Sequence, residues 1–223
     1  MIACPSCGFE AADGSAFCAK CGAKLAAPSS APEERKVVTT LICDLVSFTA
    51  LSEAADAEDV DALLAEYFAR ATKVIESHGG IVEKFIGDAV VGVFGVPAAH
   101  EDDPQRAVHA ALRLVQAFEG LAAPDGSPLQ VRIGVNTGEA LVRLDIDPLS
   151  GRGFLTGDAV NAAARLQAAA PPGGVVVGQS TFALAGRAFA CEELAPIAAK
   201  GKSEPLARWL AVAPLARPGS VAE

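Results

Sequence analysis

Residues 36–46, KVVTTLICDLV, form a nearly continuous apolar run rich in β-branched side chains, interrupted by one acid, Asp44. Such a run reads as a central, buried strand. From Asp56 to His78 apolar residues recur at helical spacing (Val60, Leu63, Tyr67, Ala71 and Val74 among them), and Gly79-Gly80 stops the helix. IVEKFI and AVVGVF then flank Gly87-Asp88, a two-residue hairpin signal. A second helix is predicted from Asp103 to about Leu121. LQVRIGVNTG and EALVRLDID read as two further strands, followed by the loop PLSGRGFLTG and a helix over 158–170 that Pro171-Pro172-Gly173-Gly174 ends. Short strands at GVVVG, AFACEEL and LARWLAV complete the unit. The order βαββαβ with additions predicts an α+β fold with a ferredoxin-like core and extra strands.

That unit does not account for the N-terminus. The chain has 223 residues, room for one domain of about 150–200 residues and a small appendage. Cys4 and Cys7 stand two residues apart, ten residues intervene, and Cys18 and Cys21 repeat the spacing, each pair followed by glycine. Two knuckles facing one tetrahedral Zn²⁺ fit this pattern, and the metal would supply the folding free energy of a segment too small for a core. A redox role needs a thioredoxin-like βαβ around a single pair, which is absent. Cys43 and Cys191 stand alone and are expected to be buried thiols. The run AAPSSAPEE reads as a linker. The predicted organisation is therefore a zinc ribbon at 1–25, a linker at 26–34, the main domain at 35–213 and a tail at 214–223.

With 51% hydrophobic and 20% charged residues, a packed core is available. The formal charge of −9 argues against nonspecific nucleic-acid binding, and the ribbon carries only Lys20 and Lys24 as cations. No stretch approaches the roughly 20 apolar residues that span a bilayer, and no secretory signal opens the chain, so a cytoplasmic protein without membrane partners is expected.

Two acids sit where structure alone gives little reason for them: Asp44 at the end of the first long strand and Asp88 at the hairpin tip. If the first helix is a right-handed crossover, the strands it joins run parallel, and both acids share one edge of the sheet. Two carboxylates there can hold hard cations of the kind that accompany polyphosphates. For Asp88 by itself an ordinary turn residue remains an alternative. Asn161 and Arg165, four apart on the alanine-rich helix, lie on one face as a donor amide and a fixed cation; a solvated polar stripe is the alternative.

Together these segments resemble the class III adenylyl/guanylyl cyclase catalytic domain, from about Val37 to Trp209. CDLVSFT resembles that family's first metal motif, KFIGDAVVGVFG its second, GDAVNAAARLQ its transition-state helix and AKGKSEPL its late lysine loop. The resemblance implies two Mg²⁺ or Mn²⁺ ions per active site held by Asp44 and Asp88, with the Leu45 carbonyl joining them. It implies phosphate contacts from the backbone N–H groups of Phe48 and Thr49, ribose orientation by Asn161, α-phosphate stabilisation by Arg165 and terminal-phosphate contact by Lys200. Lys84 matches the purine-reading lysine of adenylyl cyclases, which favours ATP over GTP. The family places an aspartate or threonine partner to that lysine where this chain has Phe154, with Thr156 two residues later, a departure from the pattern. The implied enzyme is an adenylate cyclase whose site is shared across a head-to-tail homodimer, with residues 144–153 packing on the partner. A noncatalytic nucleotide-binding or dimerisation module that regulates a partner is the competing expectation.

Overall fold

In the computed structural model the described residues are 2–4, 6–12, 15, 17–23, 25, 33–143, 154–198 and 205–215. Lys24, Lys200, the segment 144–153 and the tail from 216 lie outside them. Near the N-terminus, β1 (Ile2–Ala3) and β2 (Glu10–Ala11) pair antiparallel. The larger unit runs β3 (Glu33–Leu45), α1 (Phe48–Ala54), α2 (Ala57–Ser77), β4 (Ile81–Ile86), β5 (Ala89–Phe94), α3 (Asp103–Phe118) and β6 (Val131–Arg143). It continues through β7 (Leu155–Thr156), α4 (Asp158–Ala168), β8 (Val175–Gly178), α5 (Gln179–Ala185), β9 (Phe189–Ile197) and β10 (Leu206–Pro214).

The strands form one sheet in the order β4-β5-β3-β6-β8-β10-β9, with β7 paired to the far end of β6. The pairs are antiparallel except β6 with β8. The first four strands with crossover helices α2 and α3 are the predicted ferredoxin-like core. Since β5 is antiparallel to both β3 and β4, those two run parallel, as the crossover argument requires.

Side-chain alternation on β3 divides the core. Leu41, Cys43 and Leu45 face α2 and α3, packing with Leu63, Tyr67, Ala71, Ala107, Ala111 and Leu114. Ile42 faces the other way, onto Ala163 of α4 and Val91 of β5. Residues Val38 to Cys43 are buried without a break, the two threonines included, as packing on both faces of the strand requires. The buried Tyr67 hydroxyl donates to the Cys43 carbonyl at 3.2 Å, tying α2 to β3 one residue before Asp44.

Three details depart from the sequence reading. The two strands expected at 129–147 are one strand, β6, which pairs with β3 from Val131 opposite Leu45 to Arg143 opposite Glu33 without a register shift. Thr137-Gly138 resembles a break, yet Gly138 serves packing: Ala159 of α4 lies against it. The seven-residue helices α1 and α5 add to the expected elements, since neither is long enough to display a full amphipathic repeat. Cys43 is buried as expected, but Cys191 on β9 is only half-buried.

Helix α4 approaches β6 more closely than ordinary side chains allow. A Cβ on Gly134 would lie 2.3 Å from both the Ala163 carbonyl oxygen and the Gln167 nitrogen. Ala159, Ala162, Ala163 and Leu166 form the buried side of the helix, so small residues on both elements bring the backbones together. Gly134→Ala therefore displaces α4. The expected cost is about 1–3 kcal/mol or more, measurable as a lowered midpoint in thermal or urea unfolding; an unchanged midpoint would contradict the packing described.

Candidate functional site

The end of β3 and the β4–β5 turn meet at one edge of the sheet. Gly87 adopts φ 61°, which lets the turn close in two residues between Ile86 and Ala89. This brings Asp88 against the end of β3, where its Oδ2 accepts the Leu45 N–H at 3.1 Å. Asp44 stands on the same edge, on the α4 side of the sheet. The structure thus brings Asp44, Leu45 and Asp88 together.

Burial, and then the neighbouring Asp88 carboxylate, push Asp44 up from 3.8 to about 6. Two weaker influences oppose the shift. Gln167 Nε2 on α4 donates to Asp44 Oδ2 at 3.0 Å, and Arg132 faces Asp44 directly across the β3–β6 ladder. Sequence reasoning missed both residues. Gln167 reaches Asp44 only because Gly134 admits the helix backbone, and Arg132 is legible as a neighbour only once the register is known.

Past Leu45 the chain turns through Ser47, whose φ of 60° is unusual for a residue with a side chain. This places the start of α1 immediately after β3. Phe48 packs partly against the core and Thr49 is exposed. Asn161 is exposed on α4 and Arg165 is half-buried. At 3.6 residues per turn they lie roughly 120° and 160° around the helix from Gln167. Both thus lie on a different side of α4 from the one that reaches Asp44.

Lys84 on β4 forms an ion pair with Glu83 at 3.3 Å. Phe154 is 3% exposed and packs with Val38, Val93 and Val142, whereas Thr156 is exposed and pairs with Leu141. A cavity of about 430 Å³ beside α1 is lined by Asp56, Asp59 and Asp125 without lysine or arginine, so a polyphosphate would be repelled there.

The N-terminal cysteines form a second cluster. Cys4 and Cys21 Sγ lie 3.6 Å apart, as do Cys7 and Cys18 Sγ, and all four sulfurs lie within 4.8 Å of one another. A tetrahedron with Zn–S bonds of about 2.3 Å has S···S edges of about 3.8 Å, whereas a disulfide needs about 2.05 Å. Gly8 donates to the Cys4 carbonyl and Gly22 to that of Cys18, both at 2.9 Å, giving two equivalent knuckles.

Comparison with known proteins gives a family for each part of the chain. The profile of the adenylate and guanylate cyclase catalytic domain matches residues 31–211, and that of the zinc-ribbon domain matches residues 4–25. The chain belongs to the class III nucleotide cyclase family and carries an N-terminal zinc ribbon. Adenylate cyclase 1 of Rhizobium meliloti (strain 1021) is 32% identical over 144 residues, covering 60% of this chain and 21% of that protein. Guanylate cyclase soluble subunit beta-2 of Rattus norvegicus is 30% identical over 173 residues, covering 77% of this chain and 25% of that protein. The chain thus spans a quarter or less of these two relatives. The solved adenylyl cyclase CyaB from P. aeruginosa matches with a TM-score of 0.72 at 29% identity, over 81% of this chain and 96% of that one. Domains of this family bind nucleoside triphosphates and use divalent metal ions. No helix among the described residues is long and apolar enough to cross a membrane.

Two predictions follow from the geometry. Purified chain should contain about one zinc per molecule by elemental analysis, and Cys18→Ser should reduce it to a small fraction of that; full retention would exclude the four-thiolate site. Asp44 binds its proton more tightly folded than unfolded, so its contribution to stability falls as pH rises from 3.8 to about 6 and stays unfavourable above that window. Asp44→Asn should therefore stabilise the metal-free protein at pH 7.5. Discounted for solvent screening, the gain is about 1 kcal/mol, read as a midpoint about 2–4 °C higher, and it should vanish near pH 4.

Proposed function

We propose that the main domain, residues 35–213 behind the ribbon (1–25) and linker (26–34), converts ATP to cyclic AMP and pyrophosphate as a homodimer with two equivalent sites. The observation that carries this reading is the meeting of Asp44 and Asp88 at one sheet edge, where the raised proton affinity of Asp44 marks negative charge that lacks full compensation. Hard divalent cations suit such an oxygen donor set. Asp44 and Asp88 hold two Mg²⁺ or Mn²⁺ ions, assisted by the Leu45 carbonyl. When bound, the ions lower the pKa of the ribose 3′-hydroxyl and offset the charge of the triphosphate.

The remaining roles belong to the chain's own groups. Phe48 and Thr49 offer backbone N–H groups to phosphate oxygens. Asn161 orients the ribose so that its 3′-oxygen attacks the α-phosphorus in line, and Arg165 donates to the α-phosphate as charge develops there. Lys200 contacts the terminal phosphates. Pyrophosphate leaves, and the 3′-hydroxyl proton passes to solvent, so that no protein general base is required. The placement of Asn161 and Arg165 on a side of α4 away from Gln167, with Asn161 exposed, supports a shared site in which each chain offers this pair to a partner while keeping its own carboxylates. The proposed substrate also fits a cytoplasmic setting, where ATP and Mg²⁺ are abundant.

Lys84 favours ATP, since an ammonium donates to the adenine N1 acceptor. The burial of Phe154 supports a second reading, in which purine selection is weak and the domain senses nucleotide without efficient turnover. A direct assay separates the two: incubation with ATP or GTP and Mn²⁺, with the cyclic product quantified. Asp88→Asn is the control because its amide oxygen can still accept the Leu45 N–H. Cyclic AMP should form, exceed cyclic GMP, and fall about 100-fold or more in the variant. Folded, dimeric protein that makes neither product would sink the enzymatic reading.

A further inference from the structure

The direction of Lys84 comes from an irregularity in β4. Val82 pairs with Gly92 and Lys84 with Val91, so Glu83 is an extra residue on its strand. Neighbours on a regular strand point to opposite faces, but a bulge breaks that alternation and re-aims side chains. Lys84 Nζ thereby lies 3.3 Å from Glu83 Oε2.

Glu83 is a costly residue to place there. Its side chain is 1% exposed, and a buried carboxylate is destabilising unless charge and hydrogen bonds compensate it. Oε1 accepts the Leu155 N–H at 3.2 Å. Oε2 has no hydrogen-bond donor among the described residues, and the Lys84 ammonium stands beside it off the line of a hydrogen bond. Glu83 thus joins Lys84 to β7, the strand that leads through Gly157 into α4. Leu155 directly follows Phe154, the position where the resembled family places the lysine's polar partner. Phe154 is committed to an apolar cluster.

We infer that Glu83 takes over from β4 the role that Phe154 cannot fill, acting as the positioning residue that holds Lys84 for the purine. The inference rests on the proposed reading of Lys84 as the purine contact. Lysine carries a flexible stem with considerable rotamer freedom, so an anchored carboxylate removes disorder that nucleotide binding would otherwise have to remove. One ion pair leaves ammonium donors for the base. With its side chain 1% exposed, Glu83 acts through Lys84 and not by touching the nucleotide.

A double-mutant cycle tests this on the full chain. The readouts are the Kd of α,β-methylene-ATP with Mn²⁺ by calorimetry, and KM and kcat for ATP and GTP. Glu83→Gln keeps an amide oxygen for the Leu155 N–H and removes the charge. Lys84→Ala should raise the Kd about tenfold, the scale of one hydrogen bond from a charged group. Glu83→Gln should raise Kd and KM for ATP about three- to tenfold, with kcat within about twofold and the ATP preference reduced. In the Lys84→Ala background, Glu83→Gln should change the Kd by less than about twofold, because its effect runs through the lysine. If Glu83→Gln does not fold, Glu83→Asp, which keeps the charge on a shorter stem, enters the same cycle with the same expectation of non-additivity.

Equal effects of the Glu83 variant in both backgrounds would overturn the inference, as would tighter nucleotide binding or no effect while Lys84→Ala weakens it. Those results leave the Lys84 reading standing. An unchanged Kd in Lys84→Ala, or no saturable binding of the analogue to the parent chain, would overturn that reading and the inference with it.

Discussion

The ladder between β3 and β5 holds the candidate site's edge together. Cys43 lies opposite Val90, and the β4–β5 hairpin closes at Ile86 and Ala89, so Asp44 and Asp88 both fall just beyond the last pairs at one end of the sheet. A one-residue slip of β3 would exchange its faces. It would turn Asp44 into the α2–α3 core, where Cys43 and Leu45 now pack, at the cost of an unpaired buried charge. The apolar pattern of β3 therefore selects the register that displays the acid. The Leu45 N–H bond to Asp88 then attaches the hairpin tip to the strand.

This dependence explains which parts of the site were legible before the fold. Asp88 announces itself through Gly87-Asp88 between two apolar runs, and Asp44 through its misfit in a buried strand; each is a local signal. Arg132, Gln167 and Glu83 carry none. Arg132 is one cation in an alternating strand, and its meeting with Asp44 needs the β3–β6 register. Gln167 needs the close approach of α4 at Gly134. Glu83 needs a bulge, which the sequence IVEKFI does not reveal. Thr137-Gly138 misled for the converse reason: a local turn signal lost to a ladder that continues through it because a helix packs above.

The same edge carries the fold's electrostatic tension. Two carboxylates share a half-buried corner, and Gln167 and Arg132 offset only part of the cost, since Asp44 is still raised to about 6. A domain selected for stability alone would place a neutral residue there, which is why this corner supports the proposed cation site.

Helix α4 connects this corner to the rest of the proposed chemistry. Its inner side is fixed on β6 at Gly134, one flank reaches Asp44 through Gln167, and the opposite flank carries Asn161 and Arg165. In the proposed dimer a single rigid helix would touch the carboxylates of its own chain and the nucleotide held by the partner.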